Sequence, residues 1–238
     1  MELTYKTLKN ELKTVTLPCT ANLSSLDKFY EDKGQPLHED YIAFKELWKS
    51  KLERELFHPR AVAKRLTPRE IADFGFDMSS EILGHAEKVY AFTWTLGGEL
   101  GHRVEQLASE KKLTESLLLG VAGSVALRNI RQDIIRWLTS HSRGAARFVC
   151  AEHYPGLEVF PLKFVPRVLE ITGALSIGVS ANKANFLFPA TTKCAFFFLG
   201  KEARPTRPIR CTPCFYEKCS YWQMGGCHML FLDDSPTH

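Results

Sequence analysis

The chain contains no run approaching the ~20 uncharged apolar residues of a membrane span, and its opening stretch, MELTYKTLKNELKTV, lacks the apolar centre of a secretion signal. A cytoplasmic protein with no membrane partner is therefore expected. A charge excess is also missing: 31 basic against 27 acidic residues leave a formal net charge of +4, spread along the chain. Nucleic-acid binders usually concentrate basic residues on one face, so nucleic acid is not an expected partner. No Gly-x-Ser-x-Gly elbow, phosphate loop, His-Glu-x-x-His pair or Rossmann fingerprint occurs. The glycines of GVAGSVA have no lysine beside them and lie inside a helical pattern, which excludes a phosphate cradle. His58, His85, His102, His141 and His153 are scattered without ligand spacing.

What is present suits a packed globular protein. Of 238 residues, 45% are hydrophobic and 24% charged, enough for one large domain or two small ones. Residues 1–37 specify no clear element. In HEDYIAFKELWKSKLEREL, Tyr41, Ile42, Phe44, Leu47, Trp48, Leu52 and Leu56 recur at helical spacing and predict an amphipathic helix. MSSEILGHAEK offers Ser79 or Ser80 as an N-cap, with Glu81 in the first turn, and predicts a short helix. VYAFTWTLG reads as a strand and GELGHRVEQLASEKK as a helix. LTESLLLGVAGSVALRNIRQDIIRWLTSH is the longest helical pattern, and its Gly120, Ala122, Gly123, Ser124 and Ala126 would let another element approach closely. RFVCAEH reads as a strand and YPG as a turn. FPLKFVPRVLEITG is helical, with Pro161 suited to a first helical position and Pro166 requiring a start near Val165 or a kink. ALSIGVSANKANFLFP predicts two strands joined around Asn182 and Lys183, and TKCAFFFLG a further strand. The expected fold is α+β: a mixed, largely antiparallel sheet with flanking helices and a C-terminal meander.

The order of these pieces carries a resemblance. AEKVYAFTWTLGGELGHRVEQLASEKKLTESLLLGVAGSVALRNIRQDI, followed by YPGLEVFPLKFVPRVLEITGALSIGVSANKANFLFPATTKCAFFFLG, resembles the vitamin B12-dependent methionine synthase activation domain family over roughly residues 58–200. The resemblance implies a domain that binds S-adenosylmethionine and packs over a cobalamin carried elsewhere, restoring methylcobalamin after oxidation to cob(II)alamin. The expected division is into three segments: a helical extension (1–57) packed on the core, the activation-domain-like core (58–202), and, beyond the resemblance, an Arg/Pro linker with a cysteine-rich tail (203–238).

Aligned on Pro155-Gly156, the family's Arg-x-x-x-Gly-Tyr motif places the cofactor-binding segment at Glu152, Pro155 and Gly156. Glu152 then stands where the family has arginine, and Leu157 where it has tyrosine. The reversed charge speaks against a ligand carboxylate there. The family's helix glutamate falls near Leu127, and its Ser-Val-Ser-Gly strand start becomes Thr192, Lys193, Cys194 and Ala195. Taken alone, Pro155-Gly156 is a turn and Glu152 a solvated surface carboxylate. The chain has no Asp-x-His-x-x-Gly cobalamin-ligand motif, so a corrinoid would belong to a partner.

Of the seven cysteines, Cys19, Cys150 and Cys194 stand alone, and apolar neighbours predict that the last two are buried thiols. The other four, Cys211, Cys214, Cys219 and Cys227, have the spacing Cys-x2-Cys-x4-Cys-x7-Cys. With no secretion signal, the pattern points to metal ligands ahead of disulfides. Four thiolates suit an iron-sulfur cluster or a tetrahedral zinc, and spacing does not separate them; a redox dithiol or free thiols are the other readings. The corrinoid context favours iron-sulfur, since zinc has no redox chemistry. His228 could replace one cysteine. Arg204, Arg207 and Arg210, spaced by threes with Pro205 and Pro208, would align on a polyproline II helix as a docking strip for an acidic electron carrier or a corrinoid protein, or form a solvated linker. Two functions follow: an accessory protein for a corrinoid-dependent methyltransferase, or a non-catalytic interaction module stapled by zinc or a cluster.

Overall fold

The computed structural model describes residues 13–15, 23, 26, 27, 30, 37–80, 83–142, 144–156 and 160–202. Strand β1 (Lys13–Val15) lies in the region that specified no element. The predicted amphipathic helix forms in three pieces: α1 (His38–Leu47), a π-helical turn (Trp48–Leu52) and α2 (Glu53–Leu56). Tyr41, Phe44 and Trp48 form its buried seam, while Ile42 and Leu47 flank that seam at 39% and 49% exposure.

Strand β2 (Arg60–Arg65) and helix α3 (Pro68–Asp73) follow, and neither was predicted. The start of α3 is fixed by a capping box. The Glu70 N–H donates to the Thr67 hydroxyl, and the Thr67 N–H donates to the Glu70 carboxylate at 2.9 Å, with Pro68 in the first turn. The short helix expected from MSSEILGHAEK is replaced by turns in its described residues. The Asp77 carboxylate accepts from both the Ser79 N–H and the Ser79 hydroxyl, a local bond that competes with helix formation.

Strand β3 (Ala86–Thr95), helix α4 (Glu99–Ser109) and helix α5 (Leu113–His141) match the predicted elements, as does strand β4 (Phe148–His153). A 3-10 turn (Leu162–Phe164) leads into α6 (Val165–Thr172), which begins at Val165 so that Pro166 falls in the first turn and no kink is needed. A second 3-10 turn (Ala174–Ile177) precedes β5 (Ser180–Ala181), β6 (Leu187–Phe188) and β7 (Thr192–Gly200).

The main sheet has the order β1-β2-β3-β7-β4, with every pairing antiparallel. The expected C-terminal meander does not form. Strands β5 and β6 pair only with each other, and β7 inserts between β3 and β4. The reason lies in β7 itself, where no residue from Cys194 to Leu199 exceeds 3% exposure. A strand apolar on both faces is stable only at the centre of a covered sheet. Ala195, Phe197 and Leu199 face the core shared with α1, α4 and α5, whereas Cys194, Phe196 and Phe198 face the core shared with α6. The 29-residue helix α5 is the buried element expected from its small residues. A Cβ on Gly123 would stand 2.6 Å from Leu100 Cδ2, so glycine there lets α4 and α5 meet. The fold class is α+β, as expected. Among the described residues, no helix is long and apolar enough to cross a membrane.

Candidate functional site at the carboxyl ends of β3 and β4

Because β3 and β4 both pair antiparallel with β7, their carboxyl ends lie together beside the start of β7. Two segments singled out in the sequence, Glu152 to Gly156 and Thr192 to Ala195, meet at this end beside the Gly97-Gly98 turn after β3. Alternation along the strands sends their side chains to opposite faces.

On the α5 face sits a buried ion pair. Arg131 Nε donates to Glu152 Oε2 at 2.8 Å and Arg131 Nη2 donates to Glu152 Oε1 at 2.5 Å. The Tyr154 hydroxyl donates to Glu152 Oε2 at 2.8 Å. The two charged side chains are 2% and 5% exposed, which overturns the expectation of a solvated Glu152. Trp94 closes the group: its ring meets Tyr154 edge-on at 6.3 Å, and its indole N–H donates to the Leu127 carbonyl at 3.3 Å. Burial alone would lower the Arg131 pKa, and the Glu152 carboxylate more than offsets this, leaving it above its ordinary value. Tyr154 is pushed well above its usual range, first by burial and then by the same carboxylate.

The opposite face carries hydroxyls and an imidazole. Thr192 Oγ1 donates to Thr95 Oγ1 at 2.9 Å, Thr95 Oγ1 donates to the Thr191 carbonyl at 3.2 Å, and Thr93 and Thr172 share a bond of 3.0 Å. His153 lies between Phe76 and Phe198, at centroid distances of 5.9 and 5.1 Å. Burial lowers its pKa, and its Nδ1 has no hydrogen-bond partner among the described residues. Burial also pushes the Cys194 thiol up to about 12. Cys150 and Cys194 are both buried, as their apolar neighbours predicted, and the Cys150 thiol donates to the Phe198 carbonyl at 3.3 Å.

Pro155 and Gly156 form the turn leaving β4. Gly156 has φ +90°, and a Cβ there would stand 2.9 Å from Leu162 Cδ2. Its N–H donates to the Phe160 carbonyl at 2.6 Å, closing the loop onto the body of the domain. The turn therefore requires glycine for its own shape. Glu152 lies three residues before Pro155, and its carboxylate is turned inward to Arg131.

Comparison with known proteins follows from this geometry. No family model matches the chain, and no curated protein matches it. Among solved structures, the crystal structure of the MetH reactivation domain bound to AdoHcy superposes with a TM-score of 0.58 at 10% sequence identity, covering 82% of this chain and 80% of that one. The chain has the reactivation-domain fold. At that identity the likeness establishes the fold alone.

On the reactivation-domain fold, the described residues assemble no group of three or more His, Cys, Asp or Glu able to hold a metal ion. Cys211, Cys214, Cys219 and Cys227, with Arg204, Arg207 and Arg210, lie outside the described residues. The residues at Glu152 do not suit the carboxylate end of an adenosylmethionine-like ligand, because the side chain is negative, buried and engaged by Arg131 and Tyr154. Sequence reasoning missed Arg131 and Tyr154. Their signal was Arg131 itself, a charge at helical spacing from Leu127, Ile134 and Leu138 on the buried stripe of α5.

Proposed function

We propose that the chain is an accessory protein for a corrinoid-dependent methyltransferase, associating with a partner whose cobalamin has been oxidised and assisting its return to activity. The observation that carries this reading is the fold likeness to the MetH reactivation domain, extending over 82% of the chain. In the reaction concerned, the partner's cob(II)alamin is the substrate. It gains one electron from a one-electron donor and is then methylated, with S-adenosylmethionine as methyl donor and AdoHcy as its product. The neighbour was crystallised with AdoHcy, which supports a related ligand here, whereas the inward-turned Glu152 argues that this residue does not hold it.

The organisation proposed is an N-terminal extension (1–57) that carries the edge strand β1 as well as helices α1 and α2, a core (58–202) and a tail (203–238) in which Cys211, Cys214, Cys219 and Cys227 would ligate an iron-sulfur cluster or zinc, with Arg204, Arg207 and Arg210 facing an acidic electron carrier or the corrinoid protein. The inward engagement of Glu152 by Arg131 and Tyr154 favours a second reading, a non-catalytic interaction module on the same fold. The two are separated by an anaerobic assay in which a corrinoid methyltransferase in its cob(II)alamin state is mixed with a one-electron reductant and S-adenosylmethionine. Faster appearance of the methylcobalamin spectrum when this protein is added supports reactivation. Binding to the methyltransferase without any change in that rate supports the interaction module, and absence of both removes the corrinoid reading. Iron, sulfide and zinc content of anaerobically purified protein tests the tail.

A further inference from the structure

Between α1, the π-helical turn, α4 and the first turns of α5 lies a cavity of about 380 Å³. Its lining includes Phe44, Leu52, Leu107, Leu118 and Leu119, with Leu47 at the lip, and none of these belongs to the sheet-end site. Leu119 and Arg131 are separated along α5 by twelve residues, roughly 18 Å at 1.5 Å per residue. The volume falls within the range of about 300–1,000 Å³ typical of small-molecule pockets. The π-helical turn that helps to frame it is a rare conformation often found at functional sites.

The charges around this apolar cavity are unequal in their commitments. Lys112 is paired with Glu110 at 2.8 Å, and Arg103 donates at 2.8 Å to the Gln106 side chain, which in turn donates to Glu110, so the two cations of the lining share one carboxylate. Asp40 and Glu115 also line the cavity, and among the described residues neither has a hydrogen bond or ion pair through its carboxylate. Each sits in the first turn of its helix, Asp40 in α1 and Glu115 in α5, where the helix dipole favours negative charge. The cavity thus offers an aliphatic and aromatic wall together with two uncommitted carboxylates. A ligand that buries its apolar part there and presents an anion would meet Asp40 and Glu115. One presenting an ammonium would be paired by them.

We propose that this cavity is a binding site for a small amphipathic cation, an ammonium group carried on an apolar body, with Asp40 and Glu115 receiving the charge. The proposal is independent of the corrinoid reading. The test is calorimetric titration of the full-length protein with three matched probes: 4-phenylbutylamine, 4-phenylbutan-1-ol and 4-phenylbutyrate. The amine is expected to bind, with the alcohol and carboxylate at least tenfold weaker. Asp40→Asn with Glu115→Gln should weaken the amine about tenfold and leave the alcohol unchanged. Ala43→Trp, an exposed position on the cavity wall, should abolish binding of all three. Circular dichroism checks that the variants fold, and the two polar substitutions still decide the question if the tryptophan variant does not. Equal binding of carboxylate and amine, unchanged amine affinity in the Asn/Gln variant, or no binding of any probe overturns the proposal.

Discussion

Replacing Arg131 with methionine leaves the Glu152 carboxylate, 5% exposed, with the Tyr154 hydroxyl as its remaining donor from this group. Removing one partner of a buried ion pair typically costs about 3–5 kcal/mol, because the other charge is left desolvated without compensation. Total stability for a domain of this kind is about 5–15 kcal/mol, so the variant should be severely weakened yet still measurable. At a urea dependence of about 2 kcal/mol per molar, the unfolding midpoint should fall by roughly 2 M. Arg131→Lys should recover only part of the loss, since a lysine point charge does not reproduce the two bonds from Nε and Nη2. The decisive comparison is the double variant Arg131→Met with Glu152→Leu, which removes both charges together. It should recover much of the loss, since apolar replacement of a whole buried pair is often neutral or stabilising, with about 1–3 kcal/mol of it retained for the buried Tyr154 hydroxyl left without its acceptor. Urea denaturation followed by far-UV circular dichroism at pH 7 reads all three. A single variant within about 1 kcal/mol of the original, or a double variant as damaged as the single one, would refute the account of Glu152 as internally engaged.

His153 has a pKa lowered by burial, so its charged form is favoured in the unfolded chain. Its contribution to stability is therefore fully present above the unfolded value of about 6.5 and declines as pH falls through that value toward the lower folded one. The denaturation midpoint of His153→Leu should vary less between pH 7.5 and 5 than that of the original; parallel curves would contradict this. Cys194, with its thiol pushed up to about 12 by burial, should remain unmodified by iodoacetamide at pH 8 in the native state and react on unfolding, as peptide mass mapping would show. Cys214→Ser is expected to lose bound iron or zinc while keeping the helical circular dichroism signal of residues 58–200. Retention of full metal content would remove this cysteine from the ligand set.

Most of the architecture was legible because its elements carry long, unambiguous periodicities. The pattern of α5, the apolar run of β7 and the Pro166 restriction each led to the observed element. What escaped was short or governed by distant contacts. Strand β2, six residues long, lacks a β-branched run beyond Val62, and its pairing with β3 is what makes it a strand. The helix read from Ser79 and Glu81 gave way to a side-chain bond from Asp77, since a serine can cap a helix or tie a turn with equal local chemistry. At the site, charge reversal at Glu152 was visible in the sequence, but its meaning was not. That glutamate's partner lies twenty-one residues upstream on another element, and only the packing of α5 over β4 brings the two together.

The central place of β7 also constrains how the chain can acquire its structure during synthesis. Thr95 of β3 finds its partner in Thr192, ninety-seven residues later. Until that strand leaves the ribosome, β3 and β4 present open edges, and the helices on either side have no completed sheet to cover. Such long-range closure makes folding slow relative to helical assembly and leaves aromatic surface exposed to other chains in the interval. The last strand to emerge from the described sheet is thus the one that joins its two halves, and the sheet cannot close before β7 has left the ribosome.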